Sequence, residues 1–492
     1  MNNTTAPSTP TFDVLVLGGG PAGVTAALRA CELGARVGLV ESNRMGGVCT
    51  NDGCVPTRVL AKAARLMREA EHLPTYGIQS SPPVLDFERL ITRTQQVVYT
   101  IQEKKQLVSH LEASGATVYA GVGPARFIDP HTVALVDGRR LSADKIIICV
   151  GGHARRLAFQ GAEYALTHSD VWSLKQQPRS VVIIGAAATG SQLASIFNAF
   201  GSQTTMLELA QRILPAEDEH VSQAMQAALT SRGIQIVTGI QGVERIERGT
   251  GGLELVYLHG GEQKTLKSES VIISAGWPGN LEGLNLEAAG VKTERGYVQV
   301  NEHLQTTVPH IFAAGDITGR MMLVQSAGHE ARVAAENAVL GPAQPYGHYI
   351  VPRGGFTDPE YASVGLTEAQ ARARLGDITL ATIPYTDLDR AVIDDRPEGL
   401  CKLIVSTADH RLQGAHVVGE GALETVQIIA AGMAADMWVE QLAELELAYP
   451  TFCAVVGLAA RSIVHQLGVR PVSPQWRALS ARYAAEWERR EG

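Results

Sequence analysis

Cys49 and Cys54 are separated by four residues in the stretch Gly46-Gly47-Val48-Cys49-Thr50-Asn51-Asp52-Gly53-Cys54-Val55-Pro56-Thr57. Two thiols so close can close a redox disulfide or share a metal ion, and the thiolate is the reactive form in both roles. A zinc site needs two more ligands, and Cys31, Cys149, Cys401 and Cys453 show no second pair spacing. In a reducing compartment such a pair serves catalysis or metal binding more often than structure, and a redox switch is the stronger reading here.

The elements that must position this pair come in two similar copies. In the first, the apolar run Phe12-Asp13-Val14-Leu15-Val16-Leu17 ends in Gly18-Gly19-Gly20-Pro21-Ala22-Gly23, followed by an alanine-rich helix and the strand Arg36 to Val40, which closes on Glu41. In the second, Ser180 to Ile184 leads into Gly185-Ala186-Ala187-Ala188-Thr189-Gly190, another helix, and Gln203 to Leu207 closing on Glu208. Glu41 follows Gly18, and Glu208 follows Gly185, by the same 23 positions. Each copy reads as a βαβ unit whose glycine turn lets backbone amides reach a pyrophosphate, with the acid accepting from a ribose diol. Ala187 stands where the first copy has Gly20, so the second turn is expected to approach a phosphate less closely.

Further strands, near Ala143 to Gly152 and Val271 to Trp277, end in small residues where the chain is expected to pass between nucleotide domains. Thr306 to Asp316 reads as a turn, a buried strand, then Gly315 and Asp316, with the aspartate at a strand's carboxyl end, where open α/β sheets bind ligands. A helix N-cap is the alternative role for Asp316. From about Tyr349 the glycine fingerprints cease, and Cys401 to Val405, Gly414 to Val418 and a helix Glu424 to Met437 suggest a third, α+β domain. Met1 to Thr11 reads as a disordered arm, and Trp476, Leu479, Tyr483 and Trp487 at helical spacing suggest a terminal helix.

A net charge of −8 over 492 residues carries no basic footprint for nucleic acid, and no apolar run approaches the roughly 20 residues that span a bilayer. A cytoplasmic enzyme with small-molecule partners is expected.

With both fingerprints, the cysteine pair and the Gly315-Asp316 segment together, the chain resembles the flavoprotein disulfide reductases, among them dihydrolipoamide dehydrogenase, glutathione reductase and mercuric reductase, from about Phe12 to Gly468. The resemblance implies an α/β fold with two Rossmann-like domains, one for FAD (12–152 and 277–347) and one for NAD(P) (153–276). A C-terminal α+β dimerisation domain (348–470) would make a homodimer, between an arm (1–11) and a tail (471–492). Gly18, Gly20, Gly23, Glu41 and Asp316 would hold FAD, and Gly185, Gly190 and Glu208 the nicotinamide cofactor, with further cofactor contacts at Gly47, Gly151 and Gly276. Glu208 favours NADH, since a carboxylate repels a 2′-phosphate, although Arg212 lies one helical turn further on. Electrons would pass from nicotinamide to FAD and on to the Cys49–Cys54 disulfide, Cys54 being the thiolate against the flavin and Cys49 the thiol that attacks the substrate.

Four residues depart from the family pattern. Disulfide-reducing members carry a His-Pro-Thr segment with a glutamate five residues after the histidine, contributed across the dimer, and here Tyr449 and Ala454 stand in those places. A phenol with a pKa near 10 is a poor proton shuttle at neutral pH. Arg58 and Gln192 replace a lysine and a glutamate expected beside the flavin. Tyr449 matches the mercuric reductase branch, yet the chain ends Trp487-Glu488-Arg489-Arg490-Glu491-Gly492, without that branch's terminal cysteine pair. Cys453 is either a small apolar residue or a lone substitute ligand. The leading expectation is an FAD- and NAD(P)H-dependent oxidoreductase that reduces a metal ion or another small acceptor. A dihydrolipoamide dehydrogenase-like enzyme with an altered proton shuttle and a redox-sensing flavoprotein are the alternatives.

Overall fold

The computed structural model describes residues 11–347 and 350–469. All of the expected arm but Thr11, and the expected tail with Trp476, Leu479, Tyr483 and Trp487, lie outside the described residues. The chain divides into two compact units: Met1–Ala64, Pro83–Gly185 and Gly242–His348 in the first, Arg65–Pro82, Ala186–Gln241 and Tyr349–Gly492 in the second. The class is α/β, as expected, with parallel Rossmann-like sheets followed by an α+β domain.

In the first unit a parallel sheet runs in the order Thr117–Ala120, Val37–Glu41, Thr11–Leu17, Arg140–Ile148. Val14 to Leu17 and Val37 to Val40 are fully buried, which explains why they read as unbroken apolar runs and not as alternating strands. The strand Ile311–Ala313 returns from far along the chain to pair in parallel with the last three residues of Arg140–Ile148. Helix Pro21–Glu32, begun by a proline whose missing N–H costs nothing there, buries Ala22, Ala26, Ala27 and Ala30 on one face. Those alanines share a core with Ala331, Ala334, Ala335 and Ala338 of helix Val324–Leu340, small side chains that let two helices approach closely. The same unit holds the parallel strands Ser180–Ile184, Ser270–Ile273 and Leu166–Thr167, and an antiparallel sheet of Gly242–Gly249, Gly252–His259 and Glu262–Ser268.

The second unit contains helix Ala188–Ala199, the parallel pair Gln203–Glu208 and Gln235–Thr238, and a five-stranded antiparallel sheet. That sheet is ordered Arg353–Gly355, Tyr361–Gly365, Leu412–Val418, Leu400–Ser406, Ile378–Pro384, and helices Ala422–Ala434 and Ala454–Leu467 close its core. The first of these helices stops short of the expected Met437. Asp436 adopts a left-handed φ of 53°, and the N–H of Met437 turns back to the carbonyl of Gly432, which ends the helix. Lys402 is buried in this unit with its ammonium 2.9 Å from Asp218 and 2.6 Å from Glu368, so its charge is paired by two carboxylates.

Candidate functional site

Both glycine turns rest on one geometric demand. Gly18 has a φ of 109°, and a Cβ there would lie 2.3 Å from the carbonyl oxygen of Cys149. Gly185 repeats the pattern with a φ of 102° and 2.5 Å to the carbonyl oxygen of Ser274. No other residue passes such a turn, and in the first unit the strand Thr11–Leu17 thereby ends directly under the N-terminus of helix Pro21–Glu32. Helix Pro21–Glu32 starts after Gly20 and helix Ala188–Ala199 after Ala187, neither with a side-chain cap or an acidic residue in its first turn. Their leading N–H groups are thus available to an anion such as a pyrophosphate. Ala187 has nearly the backbone conformation of Gly20, φ −77° and ψ −168° against −74° and −176°, so its methyl group is carried without backbone strain. Gly23 packs on the carbonyl of Gly18, and Gly190 is buried in its helix.

The two acids are held alike. Glu41 accepts from the N–H of Gly19 at 2.7 Å and from that of Asn43 at 2.7 Å. Glu208 accepts from the N–H of Ala186 at 2.6 Å and from that of Ala210 at 2.9 Å. Each carboxylate is fixed by backbone donors and keeps lone pairs for a ribose diol. In the first unit the loop before the cysteines closes on the glycine turn: Gly46 N–H bonds the Gly19 carbonyl at 2.8 Å, and a Cβ on Gly47 would come within 2.8 Å of Gly20 Cα. Bare backbone on both sides, an uncapped helix and a fixed acid fit the pyrophosphate and ribose of an adenine dinucleotide.

Cys49 lies in the short helix Gly47–Asn51, and Cys54 is the first residue of helix Cys54–His72. The Cys49 thiol donates to Cys54, which raises Cys49 above the ordinary thiol range, with burial adding to the rise. The same hydrogen bond lowers Cys54 to about 7, outweighing burial, with its own backbone N–H helping and the nearby Asp316 opposing. A helix N-terminus favours this anion as well. Cys54 is exposed and Cys49 half-buried.

Asp316 opens the short 3-10 helix Asp316–Thr318, and Gly315 occupies the cap position, so the alternative N-cap role for Asp316 is not what the chain uses. Burial raises its pKa, and the Trp277 indole donates to it at 3.2 Å. Arg58 lies on the exposed side of the Cys54 helix one turn on. Gly151 accepts at its carbonyl from Asn280 N–H at 3.0 Å, and Gly276 from Arg155 N–H at 3.1 Å. The first unit thus gathers Gly18, Gly20, Gly23, Glu41, Gly47, Cys49, Cys54, Arg58, Gly151, Gly185, Gly276 and Asp316.

Gly190, Gln192, Glu208 and Tyr449 belong to the second unit. Gln192 accepts from Phe356 N–H at 3.0 Å and donates to the Ala188 carbonyl at 3.0 Å. Tyr449 is 77% exposed, and its hydroxyl donates to Asp389 at 2.5 Å, which raises the phenol pKa. The Cys453 thiol is 3.8 Å from the Thr425 hydroxyl. Among the described residues no group of three His, Cys, Asp or Glu side chains could hold a metal, and no helix is long and apolar enough to cross a membrane.

Three features of the first unit escaped the sequence reading. Asp52, between the two cysteines, lies 3.4 Å from His168 and accepts from Ser169 Oγ at 2.5 Å, while its carbonyl accepts from the Trp172 indole at 2.9 Å. Glu330 is a buried carboxyl beneath the Asp316 turn, accepting from Gly315 N–H at 2.8 Å and Thr318 Oγ1 at 3.2 Å. Its other oxygen has no hydrogen-bond partner among the described residues. Burial pushes it up to about 7. Its signal was a lone acid on the alanine-rich face of a helix, and the third feature, Lys105, whose ammonium donates to Thr50 Oγ1 at 3.1 Å, had none.

Residues 12–331 match the family model for the pyridine nucleotide-disulphide oxidoreductases, and residues 351–460 match that family's dimerisation domain. The chain is 31% identical to a dihydrolipoyl dehydrogenase of Bacillus subtilis over 91% of its length and 97% of that protein's. It is also 31% identical to a mercuric reductase of Lysinibacillus sphaericus, over 91% of this chain and 82% of the other. Among solved structures it is similar to the HOCl-induced flavoprotein disulfide reductase RclA of Escherichia coli, with a TM-score of 0.81, 27% identity and coverage of 91% and 99%. RclA has also been solved as a Cu(II) complex.

Proposed function

The chain belongs to the pyridine nucleotide-disulphide oxidoreductase family, FAD-dependent enzymes that draw electrons from NAD(P)H, and from that membership we propose that it uses NADH to reduce a metal ion, mercuric or cupric, or another small acceptor through Cys49 and Cys54. The observation that carries the proposal is the thiol–thiolate pair, in which Cys49 holds the proton and Cys54 the charge.

The turn Gly18 to Gly20, the uncapped helix behind it, Glu41 and Asp316 would hold FAD, within a domain assigned to 12–152 and 277–347. Glu208 and the turn at Gly185 would hold the nicotinamide cofactor, in 153–276. FAD, when bound, would supply the electron pair, drawn from the nicotinamide, that opens the disulfide. The chain's own residues do the rest. Cys54 keeps a thiolate near neutral pH because Cys49 donates to it. Oxidation of the pair back to the disulfide releases two electrons and the thiol proton, enough for two cupric ions to become cuprous; a mercuric ion would instead be held by the two sulfurs as a bis-thiolate while NADH supplies the electron pair for its reduction. NADH over NADPH is supported by Glu208 and by Arg212, whose guanidinium donates to the carbonyls of Glu217 and Pro215, each at 3.0 Å. Residues 351–460 would pair two copies of the chain.

Tyr449 favours a metal ion over a disulfide as acceptor, because a phenol held by Asp389 does not return protons to a leaving thiolate at neutral pH. RclA, which binds Cu(II), points the same way. Lipoamide reduction is the second reading, favoured by the Bacillus subtilis relative. Steady-state NADH oxidation with mercuric or cupric ions, lipoamide and quinones separates the two. Metal-dependent turnover lost in Cys49→Ala is expected, and lipoamide turnover equal to it would reverse the order.

A further inference from the structure

Helix Phe87–Lys105 ends beside the redox loop. Gln106 takes a left-handed conformation, φ 42°, that breaks the helix, so Lys105 occupies its last turn, the end that favours a cation. Its ammonium donates to Thr50 Oγ1 at 3.1 Å, and one turn earlier Gln102 Nε2 donates to Asn51. Thr50 is buried and directly follows Cys49, so Lys105 is anchored to the residue next to that cysteine and its charge acts on the Cys49 thiol.

We infer that Lys105 is a specificity-determining residue, a fixed positive charge beside Cys49 that selects acceptors arriving as anions. The inference rests on the reading above that Cys49 is the acceptor-facing thiol of the pair. The other charged groups near the two sulfurs include Cys54 itself, Asp52, which is engaged by His168 and Ser169, Asp316, which acts on Cys54, and Arg58, one helical turn after Cys54. The Lys105 ammonium acts on Cys49, favouring its charged form against the opposing effect of Cys54. A positive neighbour also attracts an incoming anion and repels a cation, more strongly where water is partly excluded. A metal ion would accordingly be taken from an anionic complex, with chloride or thiolates, in preference to the bare aquo cation.

The test uses NADH-reduced holoenzyme and three disulfide probes: dianionic dithiobis(nitrobenzoate), neutral dithiodipyridine and dicationic cystamine. In each case the Cys49 sulfur forms a new S–S bond as the probe's own S–S bond breaks and one probe thiolate leaves with the electron pair; the Cys54 thiolate then attacks the Cys49 sulfur, recloses the Cys49–Cys54 disulfide and expels the second probe thiolate. Loss of the free Cys49 and Cys54 thiols is followed by rapid acid quench, alkylation and peptide mapping. In Lys105→Gln the rate with the dianion is expected to fall about tenfold relative to the neutral probe, while the dication gains. Lys105→Arg should keep the wild-type ratios. In the wild type, 1 M salt should compress the ratios toward those of Lys105→Gln, because the Debye length then shrinks to about 3 Å. Ratios in Lys105→Gln within twofold of wild type, with Cys49 still reacting, would overturn the inference alone. A Cys49 that never becomes reactive after NADH reduction would overturn the reading of the cysteine pair, and the inference with it.

Discussion

The Glu208 carboxylate lies 2.6 Å from the backbone N–H of Ala186, the relationship that Glu41 has with Gly19 at 2.7 Å. Two strand ends, far apart in sequence, present a fixed carboxylate over a glycine turn. Glu208→Gln should therefore raise KM for NADH about tenfold and leave flavin content intact, since a charge-assisted hydrogen bond contributes about 1.5 kcal/mol or more. Glu208→Arg should shift preference toward NADPH. An unchanged NADH to NADPH ratio of kcat/KM in both variants would refute the assignment.

Cys54 titrates near 7 because Cys49 donates to it. In NADH-reduced enzyme the thiolate should be a minor species at pH 6, about half at pH 7 and dominant at pH 8. Replacing Cys49 with alanine removes the donor, and the midpoint should rise by about one unit or more. Peptide-resolved alkylation of Cys54 against pH measures both curves. Coincident curves would show that the hydrogen bond does not set the midpoint.

Glu330 binds its proton more tightly in the folded chain, at about 7 against an ordinary 4.5. The native state then holds more protons than the unfolded state between these values, and stability should fall as pH rises from about 4.5 through 7. Glu330→Gln should flatten that part of the curve and stabilise the protein by about 3 kcal/mol at pH 8, with little effect at pH 4.5. Thermal melts of both proteins at the two pH values provide the check. Equal slopes would place the ionised carboxylate in a more polar setting than the packing implies.

Tyr449→His places a group that titrates near neutral pH where a phenol with a raised pKa now stands. Lipoamide turnover should rise by at least about tenfold, with the gain greatest near pH 7, while metal-ion turnover responds less. A parallel change in both activities would show that this position does not discriminate between acceptors.

Much of the site was legible in the sequence because its constraints are local. A glycine forced to a φ above 100°, a proline at a helix start and an acid closing a strand leave marks within about 25 residues of one another. The buried runs Val14 to Leu17 and Val37 to Val40 were equally plain. Contacts between distant segments were not. Lys105 and Thr50 are 55 positions apart, His168 and Asp52 more than twice as far, and Lys402 and the two carboxylates that pair it come from three separate stretches. None of these pairings has a period or a spacing, since each side chain alone reads as an ordinary surface polar group. The helix end at Ala434 was missed for a related reason: the left-handed turn at Asp436 uses a residue type that carries no strong stop signal.

The strand Ile311–Ala313 pairs with Ile146, Ile147 and Ile148, which precede it by 165 residues. On the ribosome, an edge of the first sheet would thus stay open through the synthesis of everything in between, and Asp316 follows only after that strand. Pairing at such a sequence distance is slow and leaves apolar edges exposed meanwhile. Cofactor capture would then be a late event in the life of each chain, and a nascent or truncated polypeptide ending before Ile311 would carry the cysteine pair and the first glycine turn without a finished flavin pocket.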